Sequence, residues 1–325
     1  MTTITTRAHS NIALIKYWGK KDVALNIPAV GSISLALSAL FTETSVSSDV
    51  LLNHDSFMLN DSPASEKETN RLSAFLDRIR QISGKKIYYR VESTNNFPTS
   101  AGLASSASGF AALTLAATLA AGLELTPTAL SELARLGSGS AARSIFGGFV
   151  EMKVGVQKDG RDAVAKMLYP PEHWDLSVLI AVTAERPKKT GSTDGMEHSR
   201  STSPFYQSWI DHSNADLDEM RQCLAQKDFE RLAELSEFSC LKMHALALAS
   251  RPGLIYWNGA TVNVMQRIRE MRESGIPVFF TIDAGPQVKA ICPSEYVSQV
   301  RAELNRMPGI SRIIESTLGG AAQIV

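Results

Sequence analysis

The sequence predicts an α+β protein with a sheet-rich N-terminal half and a helix-rich C-terminal half. Apolar segments with strand-like alternation recur before residue 95, and long segments with helical spacing dominate after residue 205. Between the halves, residues 185–195 form a polar stretch whose one proline and two glycines are typical of turns. We therefore expect two domains, residues 1–184 and residues 185–325.

The N-terminal half combines strands with two loops of small residues. Apolar and β-branched residues predict strands at 12–17, 32–40, 43–52, 86–93, 149–154 and 176–182. Helical spacing of apolar residues predicts a helix over 67–82. Ser, Ala and Gly dominate the stretches 95–107 and 137–144, which we expect to be loops beside helices at 105–121 and 128–136.

The C-terminal half is predicted to be mostly helical. Helices are expected at 205–225, 229–249, 256–274 and 296–306. Shorter apolar runs predict strands at 276–283, 288–291 and 311–315. The first of these strands ends in an acidic residue, Asp283, directly before a tight turn.

Composition and charge argue against several classes of protein. Lys and Arg total 33, as do Asp and Glu, so no net charge attracts nucleic acid or a membrane. The longest apolar stretch, 110–125, is too short to span a bilayer, and the first twenty residues lack the apolar core of a signal peptide. The three cysteines show neither disulfide nor metal spacing, which favours a reducing cytoplasm (Cys223, Cys240 and Cys292).

The segment Pro98-Thr-Ser-Ala-Gly-Leu-Ala-Ser-Ser-Ala is a candidate phosphate-binding loop. Unsatisfied backbone N–H groups at a helix start bind anions, and small side chains let a phosphate approach the backbone. The hydroxyls of Ser105 and Ser106 can add contacts or ligate a magnesium ion that bridges phosphates. The Walker A spacing is absent. The alternative is that these residues only cap and start a tightly packed helix.

Two further segments carry groups that bind anions. In Asn11-Ile-Ala-Leu-Ile-Lys-Tyr-Trp-Gly-Lys, a turn at the Trp-Gly pair would bring Lys16 and Lys20 onto one polyanion, unless both are merely solvated. In Gly137-Ser-Gly-Ser-Ala-Ala-Arg-Ser, Arg143 presents a planar fork suited to carboxylate or phosphate, although it could simply cap a helix.

The segment Thr281-Ile-Asp-Ala-Gly-Pro places an acid at the end of an apolar strand. A partly desolvated, fixed carboxylate is a candidate general base, so we single out Asp283. The alternative is that this aspartate only caps the following turn.

The candidate phosphate-binding loop resembles the ATP-phosphate loop of the GHMP kinase superfamily. The other three segments resemble the signatures of the mevalonate diphosphate decarboxylases, a family within that superfamily. Two weaker matches are similar to the same family: Lys188-Lys-Thr-Gly-Ser-Thr-Asp-Gly-Met, and His244-Ala followed by Arg251-Pro-Gly-Leu-Ile-Tyr-Trp. Gly191 and Gly253 depart from the family's usual serine and proline. For His244, on a predicted helix, we favour a structural role.

The resemblance implies a GHMP kinase fold, with an N-terminal domain like domain 2 of ribosomal protein S5 and a ferredoxin-like C-terminal domain. It also implies use of ATP and Mg²⁺, mevalonate 5-diphosphate as substrate, and a homodimer. Its implied catalytic residues are Asp283, Arg143 and Lys16. The substrate-binding set is Tyr17, Lys20, Asn26, Ser138, Ser140 and Arg143. The nucleotide-binding set is Asn95, Gly102, Ser105, Ser106, Lys188 and Ser192, with Ser106 also on the metal.

Three alternatives remain open from the sequence. A small-molecule kinase of the same superfamily would phosphorylate without releasing CO₂. A related decarboxylase would act on mevalonate monophosphate, because sequence alone does not measure selectivity for the diphosphate. A non-catalytic relative would bind nucleotide without turnover.

Overall fold

The computed structural model describes residues 3–48, 52–98, 103–185 and 189–325. Its first half contains, in chain order, β1 (Thr3–Ile15), β2 (Lys20–Asp22), β3 (Ile27–Pro28), β4 (Ser32–Ser48), β5 (Ser56–Leu59), β6 (Ser62–Pro63), α1 (Glu66–Ser83), β7 (Tyr89–Asn95), α2 (Ser105–Ala120), α3 (Pro127–Gly137), α4 (Ala141–Ser144), β8 (Phe149–Met152), β9 (Ala165–Tyr169) and β10 (Leu176–Val182). Its second half contains α5 (Ser192–Thr202), α6 (Tyr206–Gln226), α7 (Phe229–Leu248), α8 (Gly259–Glu273), β11 (Phe279–Thr281), β12 (Val288–Pro293), α9 (Val297–Asn305), β13 (Arg312–Ser316) and β14 (Gln323–Ile324).

Two large sheets organise these elements, and β2 pairs with β3 in a small separate sheet. The first large sheet has the strand order β14-β1-β4-β7-β5-β6, with β8 paired to β4 and β9 to β8. Among its described strands, only β5 and β7 pair in parallel. The second is antiparallel, in the order β11-β12-β10-β13. Strand β10 lies in the second sheet, and β14 returns to the first. The division of the chain into domains at residues 184 and 185 stays a prediction.

The two sheets share one apolar core. Ile12 and Leu35 of the first sheet belong to the same buried cluster as Val178 and Ile180 of the second. Every residue of β10 is buried, as expected for a strand covered on both faces. Packing of this shared core brings the C-terminal ends of β1 and β11 together. Lys16 directly follows β1, and Asp283 lies two residues after β11.

Three of the local predictions that differ from the structure have a clear physical reason. The segments predicted as separate strands at 32–40 and 43–52 form one strand, β4, which pairs along its length with β1. Helix α8 begins three residues later than predicted because Asn258 and Thr261 cap it reciprocally. Helix α5 was missed, since it begins within the polar stretch predicted to be a boundary and buries few apolar side chains.

Candidate active site

A cleft of about 680 Å³ lies between the N-terminal elements and the C-terminal helices. Its walls come from the segment after β1, helix α1, the start of α2, residues 136–143, the start of α5 and residues 283–284. Ten of the fourteen residues predicted for the site line it: Tyr17, Lys20, Asn26, Ser105, Ser106, Ser138, Ser140, Arg143, Ser192 and Asp283. Segments far apart along the chain therefore converge as the sequence predicted.

Lys16 lies directly behind Asp283. Its Nζ donates to Asp283 Oδ1 at 2.8 Å and to the Ala13 carbonyl at 2.8 Å. The Lys16 side chain is 1% exposed, whereas that of Asp283 is 27% exposed toward the cleft. Burial opposes ionisation of Asp283, but the charges of Lys16, Lys289 and Arg143 outweigh it and hold its pKa below the ordinary value. The carboxylate is thus ionised and fixed by its partner.

Arg143 is buried, and only some of its N–H donors are used by described protein groups. Its Nε donates to Ser34 Oγ at 2.9 Å, Nη1 to Ser32 Oγ at 2.7 Å, and Nη2 to Asn11 Oδ1 at 3.0 Å. One N–H on each terminal nitrogen has no acceptor within the described part of the chain. Burial lowers the pKa of Arg143 to about 10, with the Asp283 carboxylate opposing this, so the group stays charged. A paired donor fork of this kind suits a carboxylate.

The start of α2 is built to receive an anion. Ala104, the residue before the helix, is in the left-handed conformation with φ 58°, and no side chain of a described residue caps the first turn. Ser106 Oγ lies 3.3 Å from Ser138 Oγ, which lies 3.3 Å from Ser140 Oγ. Because the backbone N–H groups of a first turn attract anions, this hydroxyl row beside an uncapped helix start is a good phosphate site.

Tyr17 contributes a hydroxyl that lacks a hydrogen-bond partner among the described residues, although it is buried. Burial raises its pKa, so the phenol stays protonated and able to donate. The backbone of Gly139 approaches this hydroxyl so closely that a Cβ there would stand 2.4 Å from it. A buried donor without a hydrogen-bond partner destabilises the protein unless a ligand accepts its hydrogen bond. The Tyr17 hydroxyl therefore favours a ligand beside it.

The cleft is positively charged although the chain carries no net charge. Five basic residues line it against two acidic ones, Asp194 and Asp283. Lys20 is among them, and both burial and the charge of Arg71 lower its pKa. Such a concentration of cations in a concave site attracts polyanions. Binding a polyanion would reduce the repulsion between these cations.

Two described residues of the predicted set, Lys16 and Asn95, do not line the cleft. Lys16 contacts Asp283 from behind it, as described above. Asn95 ends β7, where its Oδ1 accepts from the Thr42 hydroxyl at 2.6 Å and its backbone N–H donates to Asn60. Gly102 and Lys188 lie outside the described residues. The nucleotide-binding roles predicted for Gly102 and Lys188 therefore stay predictions.

The structure adds residues that sequence reasoning missed. Asn11, Ser32 and Ser34 orient Arg143, and Ser239 Oγ accepts from the Lys16 backbone N–H at 2.9 Å. A signal for the serines was present, since Ser32 and Ser34 alternate with apolar residues and so share one face of β4. His244 is buried against Trp257, and burial lowers its pKa to about 3, which fits the structural role predicted for it.

The metal prediction can be tested against the residues present. The described residues contain no group of three or more His, Cys, Asp or Glu side chains that could enclose an ion. Mg²⁺ commonly binds through nucleotide phosphates with only one or two protein ligands. The exposed Ser106 hydroxyl at the start of α2 offers one such ligand beside the phosphate site, so the residues fit a metal that arrives with a nucleotide.

Comparison with known proteins identifies the family. Residues 8–165 match the diphosphomevalonate decarboxylase-like N-terminal domain, and residues 178–323 match the mevalonate 5-diphosphate decarboxylase C-terminal domain. The chain belongs to the diphosphomevalonate decarboxylase family. A family member from Candida albicans is 33% identical, with 99% of this chain and 98% of the relative covered. The Homo sapiens diphosphomevalonate decarboxylase is 37% identical, with 88% and 76% covered.

Solved structures of diphosphomevalonate decarboxylases agree with the fold. The Staphylococcus aureus mevalonate diphosphate decarboxylase is 42% identical and superimposes with a TM-score of 0.94 over 99% of this chain and 98% of that one. The Enterococcus faecalis enzyme is 38% identical, with a TM-score of 0.91 over 100% and 99%. The predicted α+β class and GHMP kinase fold are thereby confirmed.

Proposed function

We propose that the chain catalyses the ATP-dependent decarboxylation of mevalonate 5-diphosphate to isopentenyl diphosphate, with release of ADP, phosphate and CO₂. The observation that carries this function is the meeting of an ionised Asp283, a buried Arg143 fork and an uncapped helix start in one cleft. A related solved structure, 38% identical, is described as MDDEF in complex with MVAPP, AMPPCP and magnesium, which supports the choice of substrate, nucleotide and metal.

The first step transfers the terminal phosphoryl group of ATP to the tertiary hydroxyl of the substrate. The hydroxyl oxygen forms a bond to the γ-phosphorus, the bond to ADP breaks, and the hydroxyl proton passes to Asp283. Such a transfer depends mainly on positioning and charge stabilisation. A carboxylate with a lowered pKa is a weak base, so Asp283 chiefly orients the hydroxyl and accepts its proton late.

The second step breaks two bonds of the phosphorylated substrate. Phosphate departs with the electrons of the carbon–oxygen bond, and positive charge develops at the tertiary carbon. The carbon–carbon bond to the carboxylate then supplies the electrons of the new double bond, and CO₂ leaves. Arg143, held by Asn11, Ser32 and Ser34, keeps the carboxylate aligned with the leaving phosphate.

The remaining residues bind the two polyanions. The N–H groups at the start of α2, with Ser105 and Ser106, would hold the ATP phosphates, and Mg²⁺ would neutralise their charge when bound. The diphosphate end of the substrate would lie among Tyr17, Lys20, Asn26, Ser138 and Ser140, and Ser192 would contact the nucleotide.

Replacing Lys16 with methionine should raise the pH at which activity is lost on acidification. Asp283 must be ionised, and the Lys16 charge is the strongest influence that lowers its pKa. Without that charge the pKa of Asp283 rises, so the acid limb of kcat/KM moves to higher pH. A pH profile of Lys16→Met beside the exposed Lys153→Met checks this. An unmoved acid limb would show that Lys16 does not control the ionisation of Asp283.

Replacing Tyr17 with phenylalanine should weaken substrate binding without destabilising the protein. The lost hydroxyl has no described partner, so thermal unfolding should be unchanged or slightly higher. The KM for mevalonate 5-diphosphate should rise roughly tenfold, the cost of one hydrogen bond to a charged group. Tyr89→Phe removes another buried hydroxyl, which lies outside the cleft and has no hydrogen-bond partner among the described residues, and should leave KM unchanged. A lower unfolding temperature with an unchanged KM would assign Tyr17 a purely structural role.

The proposed function is tested by incubating the protein with ATP, Mg²⁺ and mevalonate 5-diphosphate. We expect one CO₂ and one isopentenyl diphosphate for each ADP. ADP without CO₂ would favour the alternative of a small-molecule kinase. Faster turnover of mevalonate 5-phosphate than of the diphosphate would favour the monophosphate decarboxylase.

We propose a homodimer, the assembly that the family resemblance implies. We also propose a reducing cytoplasmic location, supported by the three cysteines, which are all buried and free (Cys223, Cys240 and Cys292). Among the described residues, the structure has no helix long and apolar enough to cross a membrane.

A further inference from the structure

The strand that leads to Asp283 has one edge against helix α7. Among the described strands, β11 lies at an edge of the second sheet, and its pairing with β12 ends at Thr281, opposite Lys289. Asp283 comes two residues later, in a turn closed by the Gly285 backbone N–H, which donates to the Asp283 carbonyl at 2.7 Å. The backbone of Ile282, between the strand and Asp283, therefore sets the direction of the carboxylate.

Side chains of α7 take the place of a further strand along this edge. The Phe280 backbone N–H donates to Glu237 Oε1 at 3.3 Å. The Ile282 backbone N–H donates to Cys240 Sγ at 3.3 Å, and this thiol donates to the Ile282 carbonyl at 3.5 Å. His244 Nε2 lies 3.4 Å from the same carbonyl oxygen. The backbone groups at a buried strand edge need hydrogen-bond partners, and here a helix supplies them.

The His244 ring is held in place for this contact. It is buried and packs against Trp257, with ring centroids 4.5 Å apart, and against Tyr256, with centroids 6.2 Å apart. Its pKa, lowered by burial to about 3, keeps the imidazole neutral at working pH. Because a carbonyl oxygen only accepts hydrogen bonds, Nε2 carries the ring hydrogen. His244 therefore donates to Ile282 as a fixed, uncharged group.

The same helix also fixes Lys16, the ion-pair partner of Asp283. Ser239 Oγ on α7 accepts from the Lys16 backbone N–H at 2.9 Å. Lys16 Nζ in turn donates to Asp283 Oδ1 at 2.8 Å. One helix thus anchors both members of the pair, Lys16 through its own backbone and Asp283 through that of Ile282. Such precision matters, since a displacement of about 1 Å can lower a reaction rate roughly 10²-fold.

We propose that His244 and Cys240 are positioning residues for the phosphoryl-transfer step. By holding the Ile282 backbone, they keep the Asp283 carboxylate where it meets the substrate hydroxyl. Neither side chain is among the described residues that line the cleft, so both act through Asp283. Their loss should lower kcat and leave KM nearly unchanged, the pattern of an interaction that matters only in the transition state. The inference rests on the proposed function, in which Asp283 orients the hydroxyl.

The first test separates the Nε2 hydrogen bond from the bulk of the ring. His244→Gln places an amide N–H near the position of Nε2, His244→Asn places it near that of Nδ1, and His244→Phe has no donor. Single-turnover ADP formation should stay within about threefold of wild type in His244→Gln and fall roughly 10- to 100-fold in the other two. KM for mevalonate 5-diphosphate should change less than about twofold in all three. Equal rates in the glutamine and asparagine variants overturn the role of Nε2.

The matched control for the histidine variants is His173→Phe. His173 Nε2 also lies close to a carbonyl oxygen, at 2.8 Å from that of Leu224, but outside the cleft. The control loses a comparable hydrogen bond and should keep the wild-type rate. A loss in His173→Phe equal to that in His244→Phe would assign both losses to general destabilisation and overturn the proposal.

The second test asks whether His244 acts through Asp283. In the Asp283→Asn background the carboxylate is already absent, so adding His244→Phe should lower the single-turnover rate less than about twofold further. The same substitution in the wild type should cost roughly 10- to 100-fold. Equal fractional losses in the two backgrounds would show that His244 only supports the fold.

Cys240→Ala tests the second contact and does not depend on the histidine variants folding. It removes both hydrogen bonds to Ile282 and should lower the single-turnover rate roughly tenfold with KM unchanged. Cys292→Ala removes another buried thiol, on β12 and outside the cleft, and should keep the wild-type rate. Equal rates in the two alanine variants overturn the positioning role of Cys240.

Following ADP and CO₂ separately distinguishes this inference from the proposed function. A wild type that forms ADP without CO₂ contradicts the decarboxylation, while the ADP rate still tests the positioning of Asp283. A wild type that forms both products, with equal losses in the two backgrounds, overturns the positioning role and leaves the decarboxylation standing. A wild type that forms neither product overturns both.

Discussion

Asp283→Asn should lower kcat by about 10²–10⁴-fold, the usual contribution of a positioned acid or base. Asparagine keeps the size of the side chain and an oxygen that can accept from Lys16, but it cannot take the hydroxyl proton. The alanine variant is less informative, since it would leave the buried Lys16 ammonium without its carboxylate. Nucleotide affinity should stay close to wild type because α2, which would hold the phosphates, is untouched.

The control for Asp283→Asn is Asp211→Asn, a change at an exposed aspartate of α6. It should leave turnover and thermal unfolding unchanged. Near-normal turnover in Asp283→Asn would mean that Asp283 neither orients the hydroxyl nor accepts its proton.

Arg143→Lys should lower kcat/KM by about 10²–10³-fold, although it preserves the positive charge. Lysine cannot reproduce the planar fork that bonds Asn11, Ser32 and Ser34 while still presenting two donors to the cleft. The substrate carboxylate would therefore lose its alignment with the leaving phosphate. Steady-state kinetics with varied mevalonate 5-diphosphate measures the loss. Arg306→Lys, at an exposed arginine, is the matched control, and equal kinetics in the two variants would contradict this role.

Much of the site could be predicted from the sequence because its chemistry is local. The motifs around Lys16, Ser106 and Arg143 each combine small or turn residues with a group that binds anions, and the motif around Asp283 combines a tight turn with a candidate base. Both combinations are visible without coordinates. Their convergence in one cleft follows from the family resemblance and is now seen directly. The sequence could not show that Lys16 and Asp283, which are 267 positions apart, bond to each other.

The features that could not be predicted from the sequence depend on tertiary packing. Helix α5 has few buried residues, and its start is held near Lys20 by a 3.3 Å contact to Thr193, so no apolar periodicity reveals it. Likewise, Asn11 and Ser239 act through residues distant in the chain. Their roles depend on the shared core that brings β1, β4 and α7 together.

The most direct test of the account is a structure of the protein with mevalonate 5-diphosphate and a non-hydrolysable ATP analogue with Mg²⁺. We expect an Asp283 oxygen within about 2.6–3.2 Å of the tertiary hydroxyl. We also expect both free N–H groups of Arg143 on the substrate carboxylate, and the nucleotide phosphates at the start of α2. A substrate whose hydroxyl lies away from Asp283, or whose carboxylate does not meet Arg143, would contradict it.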